Sequence, residues 1–143
     1  MRVCVRANLL WNDIKYNDIM KKVIATVDAP KAVGPYSQAI EVNGTLYISG
    51  HIPVNPADGQ VQTELSAAAH QSLKNIGAIL AEAGMTYDNV VKTTVLLADI
   101  ADFKAVNEVY AEYFTGDKPA RACYQAAALP LGVKVEIEAI AVR

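Results

Sequence analysis

The last ten residues before the C-terminal arginine, Val133 to Val142, read V-K-V-E-I-E-A-I-A-V and alternate almost strictly. Side chains of a strand point to opposite faces in turn. Val133, Val135, Ile137, Ala139 and Ala141 therefore share one face, and Lys134, Glu136 and Glu138 the other. Such a strand must lie in a sheet with one face buried. Upstream, after a short loop at Pro119, Ala120 to Ala127 (A-R-A-C-Y-Q-A-A) reads as another strand, with Arg121, Cys123 and Gln125 on one face. A half-buried strand that carries charge must pair it or use it. Arginine offers a planar fork that grips a carboxylate through two parallel hydrogen bonds. A glutamate near an opposite charge stays ionised and can orient or deprotonate water. Two readings follow. One is an internal Arg–Glu ion pair between neighbouring strands, with the second glutamate in solvent. The other is a site for a small anionic substrate attacked by water.

The remaining chain supplies the rest of one domain. Lys21 to Val27 reads as a strand, followed by a loop with Pro30, Gly34 and Pro35 as breakers. Ser37 to Val42 and Thr45 to Ser49 are strands joined by Asn43-Gly44, the strongest short hairpin signal. Gly50 to Gln60 is a long loop at a strand end, where binding loops often sit. Thr63 to Ala83 is a helix with Thr63 as N-cap, the stripe Leu65, Ala69, Leu73, Ile76, Leu80 and Ala83, and Gly84 as its stop. Asn89 to Ala98 is an apolar strand. Asp99 or Asp102 caps a second helix running to about Phe114, with Phe103, Val106, Tyr110 and Phe114 as its stripe. The order is β-β-β-α-β-α-β-β, and a single sheet with both helices on one face is the economical solution. The uncovered face would stay apolar, which favours self-association.

At 143 residues the chain suits one domain. The net charge of −2 and the lack of a basic stripe argue against nucleic acid as a partner. Cys4 and Cys123 make no disulfide framework, and free thiols suit a reducing, cytoplasmic compartment. No run approaches the ~20 apolar residues of a spanning helix, so no membrane is expected. No Cys/His set has zinc spacing, no calcium loop occurs, and neither a P-loop nor G-x-G-x-x-G is present. The expected chemistry needs neither metal nor cofactor. Cys123 has no evident histidine or helix N-terminus beside it, so a packed thiol is favoured over a nucleophile.

Several motifs occur in order: V-G-P-Y-S-Q-A, S-G-H-I-P-V-N-P, K-P-A-R-A-C and V-E-I-E-A-I-A-V. Together they resemble the YjgF/YER057c/UK114 family, and within it the RidA branch of imine deaminases. The similarity runs from about Met20 to Arg143, which leaves residues 1–19 as an extension outside the 20–143 domain. An arm anchored by Trp11 is the functional alternative for that extension.

The resemblance implies a chorismate-mutase-like α+β fold, a homotrimer, and sites in clefts between subunits. It implies cofactor-free hydrolysis of 2-iminobutanoate and 2-iminopropanoate to 2-oxo acids and ammonia. By the same resemblance Arg121 binds the substrate carboxylate, Glu136 activates water and Tyr36 closes the pocket. Cys123 lines the pocket, Ser49 and Gly50 shape its wall, and Asn107 lies near the site or a subunit contact. Gln125 and Ala128 replace a glutamate and an arginine common in the branch, and His51 stands where glutamine is usual. The reading from another class is a trimeric protein that binds small carboxylates, or regulates through them, without turnover. Relatives have also been described as translation inhibitors or ribonucleases.

Overall fold

The computed structural model describes residues 20–143. The expectations for Cys4, Trp11 and the N-terminal arm lie outside the described residues. Six strands make one sheet: β1 (Lys22–Ile24), β2 (Ala39–Val42), β3 (Thr45–His51), β4 (Val90–Leu97), β5 (Ala120–Gln125) and β6 (Val135–Val142). Two helices, α1 (Leu65–Glu82) and α2 (Phe103–Tyr113), complete the expected β-β-β-α-β-α-β-β order. The spatial order is β1-β2-β3-β6-β4-β5. The alternating β6 occupies the centre, antiparallel to both β3 and β4, while β5 is an edge strand parallel to β4. A parallel pair needs a crossover, and α2 provides it.

Alternation decides which face is buried. Val135, Ile137, Ala139 and Ala141 of β6 and Thr93, Val95 and Leu97 of β4 are all buried beneath the helix layer. Leu73, Ile76, Ile79 and Leu80 of α1 are fully buried against them. Ala68, Ala69 and Ser72 are also buried, small side chains that let α1 approach the sheet closely. Asn43 (φ 50°) and Gly44 (φ 77°) take the left-handed conformations that the β2–β3 hairpin requires. Gly84 (φ 69°) ends the α1 segment as its position suggested.

Several boundaries differ from the sequence reading. The N-cap of α1 is Glu64, not Thr63: its carboxylate accepts from the Ser66 and Ala67 backbone N–H groups at 3.0 and 2.8 Å. A glutamate can therefore satisfy two orphan donors and complement the helix dipole at once. Asp99 caps a short 3₁₀ turn (Ile100–Asp102) rather than α2, and Asp102 makes no side-chain cap. The first strand is three residues long, because Thr26 to Pro30 is tied instead to the buried Gln38. The Gln38 amide donates to the Thr26, Ala29 and Pro30 carbonyls and accepts from Thr26 N–H.

The uncovered face presents Val23, Tyr47, Tyr124 and Val142, all exposed, with Ile40, Leu96 and Ile140 half-buried. Lys92, Glu136 and Glu138 interrupt this apolar surface.

Candidate functional site

The β4 register fixes where the charged residues point. Arg121 stands opposite Thr93 and Cys123 opposite Val95, so both face the helix layer. Glu136 stands opposite Leu96 and Glu138 opposite Thr94, on the uncovered face. Within one chain Arg121 and Glu136 therefore lie on opposite faces, with β4 between their strands. The internal Arg–Glu pair admitted by the sequence is not formed. Among the described residues the ion pair is Arg143–Glu41, and His70 Nε2 lies 3.8 Å from a Glu112 carboxylate oxygen.

The candidate residues instead gather in two groups. One is built on β5 and α2. The Arg121 guanidinium carbon lies 4.7 Å from the Tyr110 ring centroid and 5.6 Å from that of Phe103. Asn107 comes four residues after Phe103 and three before Tyr110, on the same side of α2. Cys123 sits two residues along β5 and is half-buried. Burial pushes its thiol above the usual range, against a smaller lowering by Arg121. A thiol so placed is a poor source of thiolate.

The other group surrounds β3. The β3–β6 register slips between Ile48–Ala139 and His51–Ile137, so Ser49 and Gly50 together span a single β6 residue, Glu138. Such a bulge re-aims side chains beside a site. A Cβ on Gly50 would collide with the Glu136 carboxyl group, so glycine lets that group lie against the backbone. Partial burial and the nearby Glu138 hold the Glu136 carboxyl above the usual carboxylate range. Ser49 donates its hydroxyl to the Ser37 carbonyl at 2.7 Å. Tyr36, one residue earlier, is half exposed and accepts a 3.4 Å bond from Val33 N–H. Tyr36 and Gly50 line one cleft of about 470 Å³, together with His51, Pro130 and Leu131.

Sequence reasoning singled out Arg121 and Glu136 but missed three supports. Helical spacing alone makes Tyr110 and Phe103 a core stripe, yet Arg121 lies over both rings. Gln38, inside G-P-Y-S-Q-A, ties down the loop that carries Tyr36, and no local pattern distinguishes it from a surface amide. At the substituted position, Gln125 accepts from Ile100 N–H at 3.0 Å, which gives its amide a local role. Among the described residues, no group of three or more His, Cys, Asp or Glu is arranged to hold a metal ion.

A six-stranded mixed sheet with two helices on one face and polar residues set at its strand ends defines a class of small α+β domain. Solved structures share it. The YjgF gene product of Escherichia coli superimposes with a TM-score of 0.83 at 47% identity, covering 85% of this chain and 98% of that one. Escherichia coli TdcF with bound serine gives 0.83 at 42% identity, with coverage of 85% and 98%. The family model described as Endoribonuclease L-PSP matches residues 26–143. The 2-iminobutanoate/2-iminopropanoate deaminase of Mus musculus is 57% identical over 128 residues, 89% of this chain and 95% of the relative. The protein of the same name from Escherichia coli strain K12 is 48% identical over 127 residues, with coverage of 87% and 99%. The chain belongs to the Endoribonuclease L-PSP family, the YjgF/RidA group.

Proposed function

We propose that the protein is a deaminase that hydrolyses 2-iminobutanoate and 2-iminopropanoate to 2-oxo acids and ammonia. Relatives that carry this name match nearly the whole domain. The observation that carries the reading is that neither Arg121 nor Glu136 is consumed by an ion pair among the described residues. A fork with unspent donors and a carboxylate of raised basicity are what carboxylate capture and water activation require.

The two groups belong to one site assembled from two copies. Arg121 lies on the edge strand β5, and Glu136 on the sheet face that no helix covers. Packing uncovered faces around a threefold axis would set one copy's edge against the next copy's Glu136 and hide the apolar surface. The functional unit is thus a homotrimer with clefts between subunits.

In the reaction Arg121 holds the substrate carboxylate and Tyr36 closes the cleft. Ser49 and Gly50 form its wall, and Cys123 and Asn107 line the side that carries Arg121. Glu136 takes a proton from water as the oxygen attacks the imine carbon, and the C=N π electrons move to nitrogen. The same carboxyl returns the proton to nitrogen. It then takes the proton of the new hydroxyl and passes it to nitrogen, so that the C–N bond breaks as the C=O bond forms, leaving 2-oxo acid and ammonia. The hard part is placement, with water held within ~3 Å of an already electrophilic carbon. RNA is not expected as a substrate, since the balance of charge is acidic.

A coupled assay tests this. A separate enzyme generates 2-iminobutanoate in the presence of semicarbazide. The protein should compete with the trap, and Arg121→Ala should not. A protein that leaves trapping unchanged, yet binds 2-oxobutanoate, would instead be the carboxylate-binding protein without turnover.

A further inference from the structure

Among the described residues, Arg121 is oriented by ring faces and by no ion pair. A carboxylate neighbour would fix the side chain and also occupy the N–H fork. Ring faces fix it and offer the fork no carboxylate. Phe103 and Tyr110 are seven residues apart on α2, two turns along one side of the helix, and Arg121 lies over both rings. Tyr110 is only 6% exposed, and its hydroxyl lies 2.7 Å from the buried Thr93 Oγ1. Thr93 is the β4 residue paired with Arg121 itself. The ring beneath the arginine is thus pinned to the neighbouring strand. Phe103, 40% exposed, forms the outer part of the same shelf.

We propose that Tyr110 and Phe103 are positioning residues for carboxylate recognition: their rings hold the Arg121 side chain in its binding rotamer before ligand arrives. An unsupported arginine loses rotamer freedom when it grips an anion, whereas here much of that loss occurs on folding. The inference rests on the reading of Arg121 as the carboxylate anchor. Thr93 acts one step further out, through the Tyr110 hydroxyl.

The test measures KM and kcat in the trapping assay, and the Kd of 2-oxobutanoate and of its uncharged amide, 2-oxobutanamide. Tyr110→Leu and Phe103→Leu should each raise KM and the 2-oxobutanoate Kd about fivefold, the range of a partly desolvated cation–π contact. A grip shared by ground and transition states leaves kcat within about twofold. Binding of the amide should change little. Tyr110→Phe keeps the ring but loses Thr93, so its effect should be smaller than that of Tyr110→Leu. Phe103→Leu decides the matter if Tyr110→Leu does not fold. If both leucine variants fold and bind 2-oxobutanoate like the wild type while Arg121→Ala does not, the shelf is only structural and the proposal is overturned. A fall in kcat and Tm with unchanged KM and Kd would overturn it equally. If Arg121→Ala itself binds normally, the anchor reading fails and the inference falls with it.

Discussion

Glu136 and Gly50 act as a pair, since the carboxyl group occupies the space that a Cβ at Gly50 would need. Gly50→Ala should displace the carboxylate from its seat. Because a shift of about 1 Å in a reacting group costs on the order of 10²-fold, kcat should fall by roughly that factor with the fold intact. Kinetics alongside circular dichroism checks this. The raised basicity of Glu136 has burial as its larger cause and Glu138 as its smaller one. A base must be deprotonated to act, so the acid limb of the kcat/KM profile should lie above the ordinary glutamate value of 4.5. Glu138→Gln removes the like charge and should move that limb to lower pH. An unmoved limb would mean that a different group titrates. With Arg121 as the proposed partner of the ligand carboxylate, Arg121→Ala should raise KM by about 10²-fold in the trapping assay.

At the scale of elements, β3 joins the cleft to the core. Its last residue, His51, is 5% exposed, and its Nε2 is buried without a partner among the described residues. Burial pushes the imidazole down from 6.5 to about 4. The unfolded chain therefore binds the proton first as pH falls. The His51 contribution to stability is complete above pH 6.5, declines as pH falls towards about 4, and then levels off. That window corresponds to a loss of ~3 kcal/mol. His51→Gln should flatten this part of a stability–pH curve measured by urea unfolding. A curve with the same slope in both proteins would remove His51 as its cause. Much at this scale was legible in the sequence. The alternation of β6, the Asn43-Gly44 hairpin and the α1 stripe each rest on local periodicity, and each appears in the fold. The N-cap at Glu64 was not legible, because Thr63 is the better cap by residue type and the backbone geometry decided otherwise. Nor was the shortness of β1, which depends on Gln38 bonding to carbonyls as far as 12 residues away.

At the scale of the molecule, the sequence placed Arg121 on one strand face and Glu136 on another, but nothing local says whether the two faces coincide. That depends on β4 inserting between β5 and β6, a matter of long-range pairing. The structure sets the faces back to back, so a site that uses both groups on one substrate, as proposed, takes them from two chains. A homotrimer built on the uncovered face should appear in sedimentation equilibrium as a single species of three chains, and a stable monomer would contradict it. The most direct measurement is complementation between two inactive variants. Assayed at imine concentrations below KM, Arg121→Ala and Glu136→Gln, each prepared alone, should show about 1% of wild-type activity or less. When the two are co-expressed, mixed assemblies place an intact Arg121 of one chain beside an intact Glu136 of the next. Random mixing should then restore about a quarter of wild-type activity in the trapping assay. If the mixed preparation stays as inactive as its parents, although mass spectrometry shows both chains in one assembly, the two residues do not act across a subunit boundary and the account fails.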